Sequence, residues 1–191
     1  MCLILIAKEV HPCYPLIIIA NREEYHSRPT QSLSFWHDYP TIAAGRDLTA
    51  RGTWFGLNLQ GLFAAVTNFH EPTVTVTSDN SRGNLVFDWL RQKSESADYH
   101  LHDPDQLQRY AGVNVISGNM TTLRWDSNRS NAPRRIPSGI SGLSNELLDS
   151  PWHKIVHGKR LFKRILSRSF RSDTFFELLS DRTAGNGIDT R

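Results

Sequence analysis

Cys2 is the residue best placed to do chemistry. If Met1 is removed, Cys2 carries a free α-amine beside its own thiol. A free α-amine titrates near 7.7–8.0 in model compounds, so roughly a tenth or more of it is neutral at working pH. It can take the thiol proton directly or through one water, as a built-in general base. Near the thiol's chain segment stands Asn21-Arg22-Glu23-Glu24. A guanidinium beside a thiol favours the thiolate, and a carboxylate can fix both the amine and the arginine. Asn68 closes one apolar run and Asn145 closes Gly142-Leu143-Ser144-Asn145. Side-chain amides at such positions can donate to an oxyanion. Each of these residues also has a plain structural reading. A cysteine near a terminus serves as a small buried hydrophobe, Arg22 with Glu23 as a salt-bridged turn, and asparagine as a turn or cap residue.

Sheet must hold these groups, and the chain supplies it. Leu3–Ala7 and Leu16–Ala20 are apolar runs separated by His11-Pro12 and Tyr14-Pro15. They predict a hairpin buried on both faces. Thr53–Leu59, the turn Gln60-Gly61 and Leu62–Thr67 predict a second hairpin. Val113–Ser117 and Thr121–Trp125 predict two further strands, followed by a polar loop over Asn128–Arg135. Helical spacing of Leu85, Val86, Trp89 and Leu90, with Ser81 as cap, predicts a helix after the polar loop Thr73–Ser81. A second helix is expected over Pro104–Tyr110, capped by Asp103. A third follows Ser150-Pro151, with Ile155, Val156, Leu161, Phe162, Ile165 and Leu166 as its apolar stripe. Ser172 is expected to cap a fourth, through Leu179. This succession reads as α+β with helices on sheet. Residues 1–182 are expected to form one domain and 183–191 a frayed tail.

The 191 residues are 39% hydrophobic and 10% aromatic, which supports a real core. The net charge is +3, but Arg124–Arg171 holds eleven Lys/Arg against three Asp/Glu. No nucleic-acid-binding motif accompanies that bias, and a solvated basic helix face accounts for it. Two cysteines make no disulfide framework. No secretory signal and no apolar run of membrane-spanning length is readable, so the expectation is a soluble cytoplasmic protein that binds neither membrane nor nucleic acid. Oligomeric state is unreadable. His153 and His157 have zincin spacing, but Lys154 stands where that chemistry needs a glutamate. Gly139–Ser144 contains no Gly-x-Ser-x-Gly elbow, and neither a Walker loop nor a dinucleotide fingerprint occurs.

The opening Met-Cys-Leu-Ile, Ala20-Asn21-Arg22-Glu23-Glu24, Arg28-Pro29, Ala44-Gly45-Arg46-Asp47 and Gly52-Thr53-Trp54-Phe55-Gly56 resemble the NRDE (transport and Golgi organisation protein 2-like) family. So do Ala65-Val66-Thr67-Asn68, Ser81-Arg82-Gly83, Gly142-Leu143-Ser144-Asn145 and Leu148-Asp149-Ser150-Pro151-Trp152, in collinear order. The resemblance implies an N-terminal nucleophile hydrolase-like fold, a four-layer αββα sandwich, incomplete here at the C-terminus because family members continue with further strands. It implies Cys2 as nucleophile and base, Arg22 with Glu23 or Glu24 around thiol and amine, and Asn68 and Asn145 as oxyanion or substrate donors. Glu23 stands where the family has aspartate, and one extra methylene shifts the carboxylate.

Three functions follow. The first is an amidohydrolase acting on a small non-peptide C–N bond through a thioester. Glu24, Trp54 and Phe69 are its expected substrate contacts, although aromatics in strands also serve as core. The second is a non-catalytic haem- or lipid-related binding or trafficking protein on the same fold. No cofactor is expected for the enzyme, whereas haem as a ligand would be held by Cys2, Cys13, His11 or His70. The third is an inactive remnant.

Overall fold

In a computed structural model, the chain is described over residues 2–71, 80–92, 104–131 and 134–181. In chain order its elements are β1 (Leu3–Lys8), β2 (Leu16–Asn21), β3 (Thr30–Phe35), β4 (Ile42–Asp47), β5 (Phe55–Asn58), β6 (Phe63–Asn68), α1 (Gly83–Leu90), α2 (Pro104–Leu107), β7 (Val113–Gly118), β8 (Leu123–Ser127), β9 (Arg134–Arg135), β10 (Gly139–Leu143), α3 (His153–Leu166) and α4 (Ser172–Leu179). They fall into two compact units. One takes Met1–Glu23 and Pro137–Arg191, the other Glu24–Ile136.

The first unit is an antiparallel sheet of order β10-β1-β2. β1 is the central strand and is buried at all its positions, which is why its sequence is an unbroken apolar run. Leu3, Leu5 and Ala7 join Ile19, Ile155, Phe162, Leu166 and Leu178 in one core between sheet and helices. Each such Leu, Ile or Phe contributes about 1.5–3 kcal/mol on burial. Helix α3 comes close because β10 carries glycine beneath it. A Cβ on Gly142 would meet Ile155 at 2.9 Å.

The second unit is a seven-stranded antiparallel sheet in the order β3 to β9. Leu85, Val86, Trp89 and Leu90 of α1 pack on Ile42, Ala44, Ala64, Val66, Val113 and Val115. Asn58 fastens the turn after β5 to that helix. Its Nδ2 donates to the Leu90 carbonyl at 2.9 Å, and its Oδ1 accepts from the Leu62 amide at 2.9 Å. Gly61 makes the turn with φ of 79°. Where β5 begins, Gly52 lies directly on Gly83. A Cβ there would stand 2.7 Å from the Gly83 carbonyl carbon.

The α+β fold with both hairpins and the β7–β8 pair is as the apolar runs predict. Several details differ. β2 is only partly buried, as an edge strand of a three-stranded sheet is. β3, β4 and β10 lie in stretches without an apolar alternation to reveal them. The serines expected to cap helices do not. Arg82, Trp152 and Arg171 are the N-cap residues of α1, α3 and α4, none with a side-chain cap bond. The second helix ends at Leu107, and Val156 is 56% exposed, outside the α3 stripe. Asp103, most of the loop Thr73–Ser81 and the tail Thr183–Arg191 lie outside the described residues. Among the described residues, no helix is long and apolar enough to cross a membrane.

Candidate functional site

Cys2 enters β1 with its thiol free and its residue half-buried. The strands on either side set its neighbours. β1 and β2 pair Leu3 with Asn21, and β1 and β10 pair Ile4 with Leu143. Asn21 and Leu143 are the last paired residues of these two strands, so Arg22 follows one flanking strand and Asn145 follows the other at the end where Cys2 enters β1. Laterally opposed residues of an antiparallel sheet project to the same face. Leu3, Leu5 and Ala7 belong to the core beneath α3 and α4. Ile4 and Ile6 therefore take the opposite face of the sheet, and the same alternation carried back from Leu3 sends Cys2 there too.

The main chain at this point is held by side chains. The Leu3 amide donates to Asn21 Oδ1 at 3.0 Å, and Asn21 Nδ2 donates to the Leu179 carbonyl at 3.4 Å. The Cys2 carbonyl accepts from the Ser144 hydroxyl at 2.8 Å and from the Lys154 ammonium at 3.2 Å. A carbonyl oxygen has two lone pairs, so these two donors saturate it. Ser144 and Asn145 are both buried, and Ser144 Oγ lies 3.2 Å from Asn145 Oδ1.

Cys2, Arg22, Glu23 and Asn145 thus belong to one unit, with Glu23 exposed beside Arg22. Glu24, Trp54, Asn68 and Phe69 belong to the other. Glu24 accepts from the Tyr25 amide at 3.0 Å and lies 4.0 Å from Arg28. Asn68 is the exposed last residue of β6, paired with Val113. The Trp54 ring packs against the α1 core and covers Gly45. Phe69 is half-buried, and its amide donates to the Gly112 carbonyl at 2.8 Å.

The suggested haem ligands are scattered. Cys2 stands at the start of β1, while His11 and Cys13 lie beyond its end. Six strand residues separate them, about 20 Å, so Cys2 cannot share one iron with either. His11 Nδ1 instead accepts from the Cys13 amide at 3.2 Å, and its ring lies against Tyr14 and Phe170. His70 is in the other unit. His153 and His157 stack at 5.5 Å, with His157 2.9 Å from Asp181. Among the described residues, no group of three or more His, Cys, Asp and Glu side chains gathers to hold a metal ion.

Sequence reasoning missed Ser144 and Lys154 as contacts of Cys2. Their signal is the pairing of β1 with β10 for Ser144 and the packing of α3 on that sheet for Lys154, which no local pattern carries across more than a hundred residues.

What lies at this end of the sheet is a half-buried thiol whose main-chain carbonyl is held by Ser144 and Lys154, with Arg22 after one flanking strand and Asn145 after the other. A family model described as Transport and Golgi organisation 2 matches residues 1–189. The chain is 34% identical over 182 residues to the Transport and Golgi organization protein 2 homolog of Homo sapiens, covering 88% of this chain. It is 32% identical to the Mus musculus homolog over the same length. It spans 66% of the length of each of these relatives. Among solved structures, a Caenorhabditis elegans N-acylethanolamine-hydrolyzing acid amidase ortholog superposes with a TM-score of 0.63, at 12% identity, covering 97% of this chain and 88% of that one. Identity that low speaks for the fold, which is thus of the N-terminal nucleophile hydrolase type.

Proposed function

The chain belongs to the Transport and Golgi organisation 2 family, and from that premise we propose that it is a cysteine amidohydrolase cleaving a small, linear, non-peptide amide. One observation supports this reading: β2 and β10 flank β1, and Arg22 and Asn145 follow those two strands at the end where Cys2 enters β1. With Met1 removed, the Cys2 α-amine takes the thiol proton and the sulfur attacks the amide carbonyl carbon. The Asn145 carboxamide donates to the oxyanion that forms. Arg22 favours the thiolate, and Glu23 holds the amine. The C–N bond then breaks, and the leaving amine takes the proton back from the Cys2 ammonium. A thioester remains on Cys2. Water attacks it with the same amine as base, releasing the acid and restoring the thiol. The amidase whose fold this chain shares is named for hydrolysing N-acylethanolamines, which supports the substrate class.

The test is Cys2→Ala, assayed on a panel of linear acyl amides. Turnover falls by at least about a thousandfold, as loss of a nucleophile does, while far-UV circular dichroism is unchanged. Hydrolysis retained in the variant overturns the reading. Mass spectrometry of the purified chain must also find Cys2 as the first residue.

A second reading is a binding or trafficking protein on the same fold, located in the cytoplasm. The relatives' names, which speak of transport and Golgi organisation, favour it. A saturable spectral change on titration with haemin, unaffected by Cys2→Ala, would support it.

A further inference from the structure

We propose that Lys154 is a positioning residue for Cys2, fixing its main chain and setting the electrostatic field in which its thiol reacts. Lys154 lies in the first turn of α3, where the helix dipole disfavours a cation, and that turn holds no acidic side chain. The charge is thus misplaced for helix stability. Its partners lie elsewhere. The ammonium donates to the Cys2 carbonyl at 3.2 Å and stands 5.7 Å from the Trp152 ring centroid. Ser144 completes the clamp from β10 at 2.8 Å. A group within hydrogen-bond distance of the Cys2 carbonyl lies about 4–7 Å from that residue's nitrogen and sulfur, where a unit charge is still felt strongly.

Other charges of the same unit lie at this end of the sheet. Arg22 and Glu23 follow β2, Glu146 follows Asn145, and His153 precedes Lys154 on α3. His157, one turn further along α3, is engaged with Asp181 after α4. Lys154 and the neutral Ser144 both reach Cys2 directly, through its carbonyl.

The inference rests on Cys2 being the nucleophile, yet it is tested without any substrate. Iodoacetamide alkylates both cysteines, and exposed Cys13, far from Lys154 along β1, is the internal reference. Lys154→Met keeps the apolar stem and removes the charge and donor. It should slow Cys2 alkylation relative to Cys13 by about threefold to tenfold near neutral pH, the range a nearby unit charge commands. Lys154→Arg should restore most of the rate. Ser144→Ala, which removes only a neutral donor, should have the smaller effect. Salt of roughly 1 M should bring the wild type towards Lys154→Met and leave that variant unmoved; a purely structural role would not respond so. Equal Cys2 rates in wild type and Lys154→Met, or a Lys154→Arg as slow as Lys154→Met, overturn the proposal. A chain that cleaves no amide but shows the Lys154-dependent rate would sink the hydrolase reading and leave this one standing.

Discussion

Asn145 lies two residues beyond Leu143, the last β10 partner of β1, and follows Ser144, whose hydroxyl donates to the Cys2 carbonyl at 2.8 Å. Residues 143 positions apart in sequence are thereby brought to the same end of the sheet. In the proposed reaction, Asn145 acts only once the tetrahedral oxyanion exists. Asn145→Ala should therefore lower kcat roughly a hundredfold or more, the usual effect of losing an oxyanion donor, and change KM little. Steady-state kinetics on the best amide of the panel separate the two. A rise in KM with kcat intact would make Asn145 a ground-state contact instead.

Asp47 ends β4 and organises the loop after it. Its Oδ1 accepts from the Thr49 and Ala50 amides at 3.0 Å each, and its Oδ2 meets Arg28 Nε at 2.7 Å. Burial pushes this carboxyl up, but the Ala50 amide, Arg28 and the Thr49 amide together outweigh it and hold it below the ordinary aspartate range. A depressed folded value means stability that is present above the unfolded value, about 3.9, and lost as pH falls through the folded one. Asp47→Asn should cost about 1–3 kcal/mol near neutrality. Arg28 is 37% exposed, so solvent screens its share and the two amides carry most of the cost. Urea unfolding should show the gap between wild type and variant closing below about pH 4.

Gly52→Ala should destabilise the second unit by about 1–3 kcal/mol, because the new methyl meets backbone that has to shift. Gly61→Ala is the matched control. It has nothing within 4 Å and only its φ of 79° to strain against, so it should cost about 1–2 kcal/mol. Thermal denaturation should rank Gly52→Ala below Gly61→Ala. The reverse order would show that Gly52 and Gly83 are not in close contact.

The sequence reveals strands where burial is continuous. Leu3–Ala7 and Leu62–Thr67 advertise themselves because they are buried along their length, whereas Leu16–Ala20 is as apolar but only partly buried at the sheet edge. β3 is exposed at every position, so Thr30–Phe35 carries no core pattern. β10 is Gly-Ile-Ser-Gly-Leu, made small because α3 presses on Gly142. Helix starts were misplaced for a shared reason: the serines that could cap are each displaced by a neighbour at the N-cap. At the candidate site, residue type and family resemblance single out Cys2, Arg22 and Asn145. Lys154 carries no local signal, because its contact with the Cys2 carbonyl spans more than a hundred residues.

The three-stranded sheet has a consequence for biosynthesis. β1 and β2 are translated before Glu24–Ile136, yet β10, which covers the other edge of β1, is made after the whole of it. The contiguous unit can collapse during elongation, whereas the nascent β1–β2 hairpin must wait with one apolar edge unpaired, a state prone to misassociation. Such distant pairing is slow to nucleate. Completion of the sheet around Cys2 thus waits on a strand translated after the larger unit.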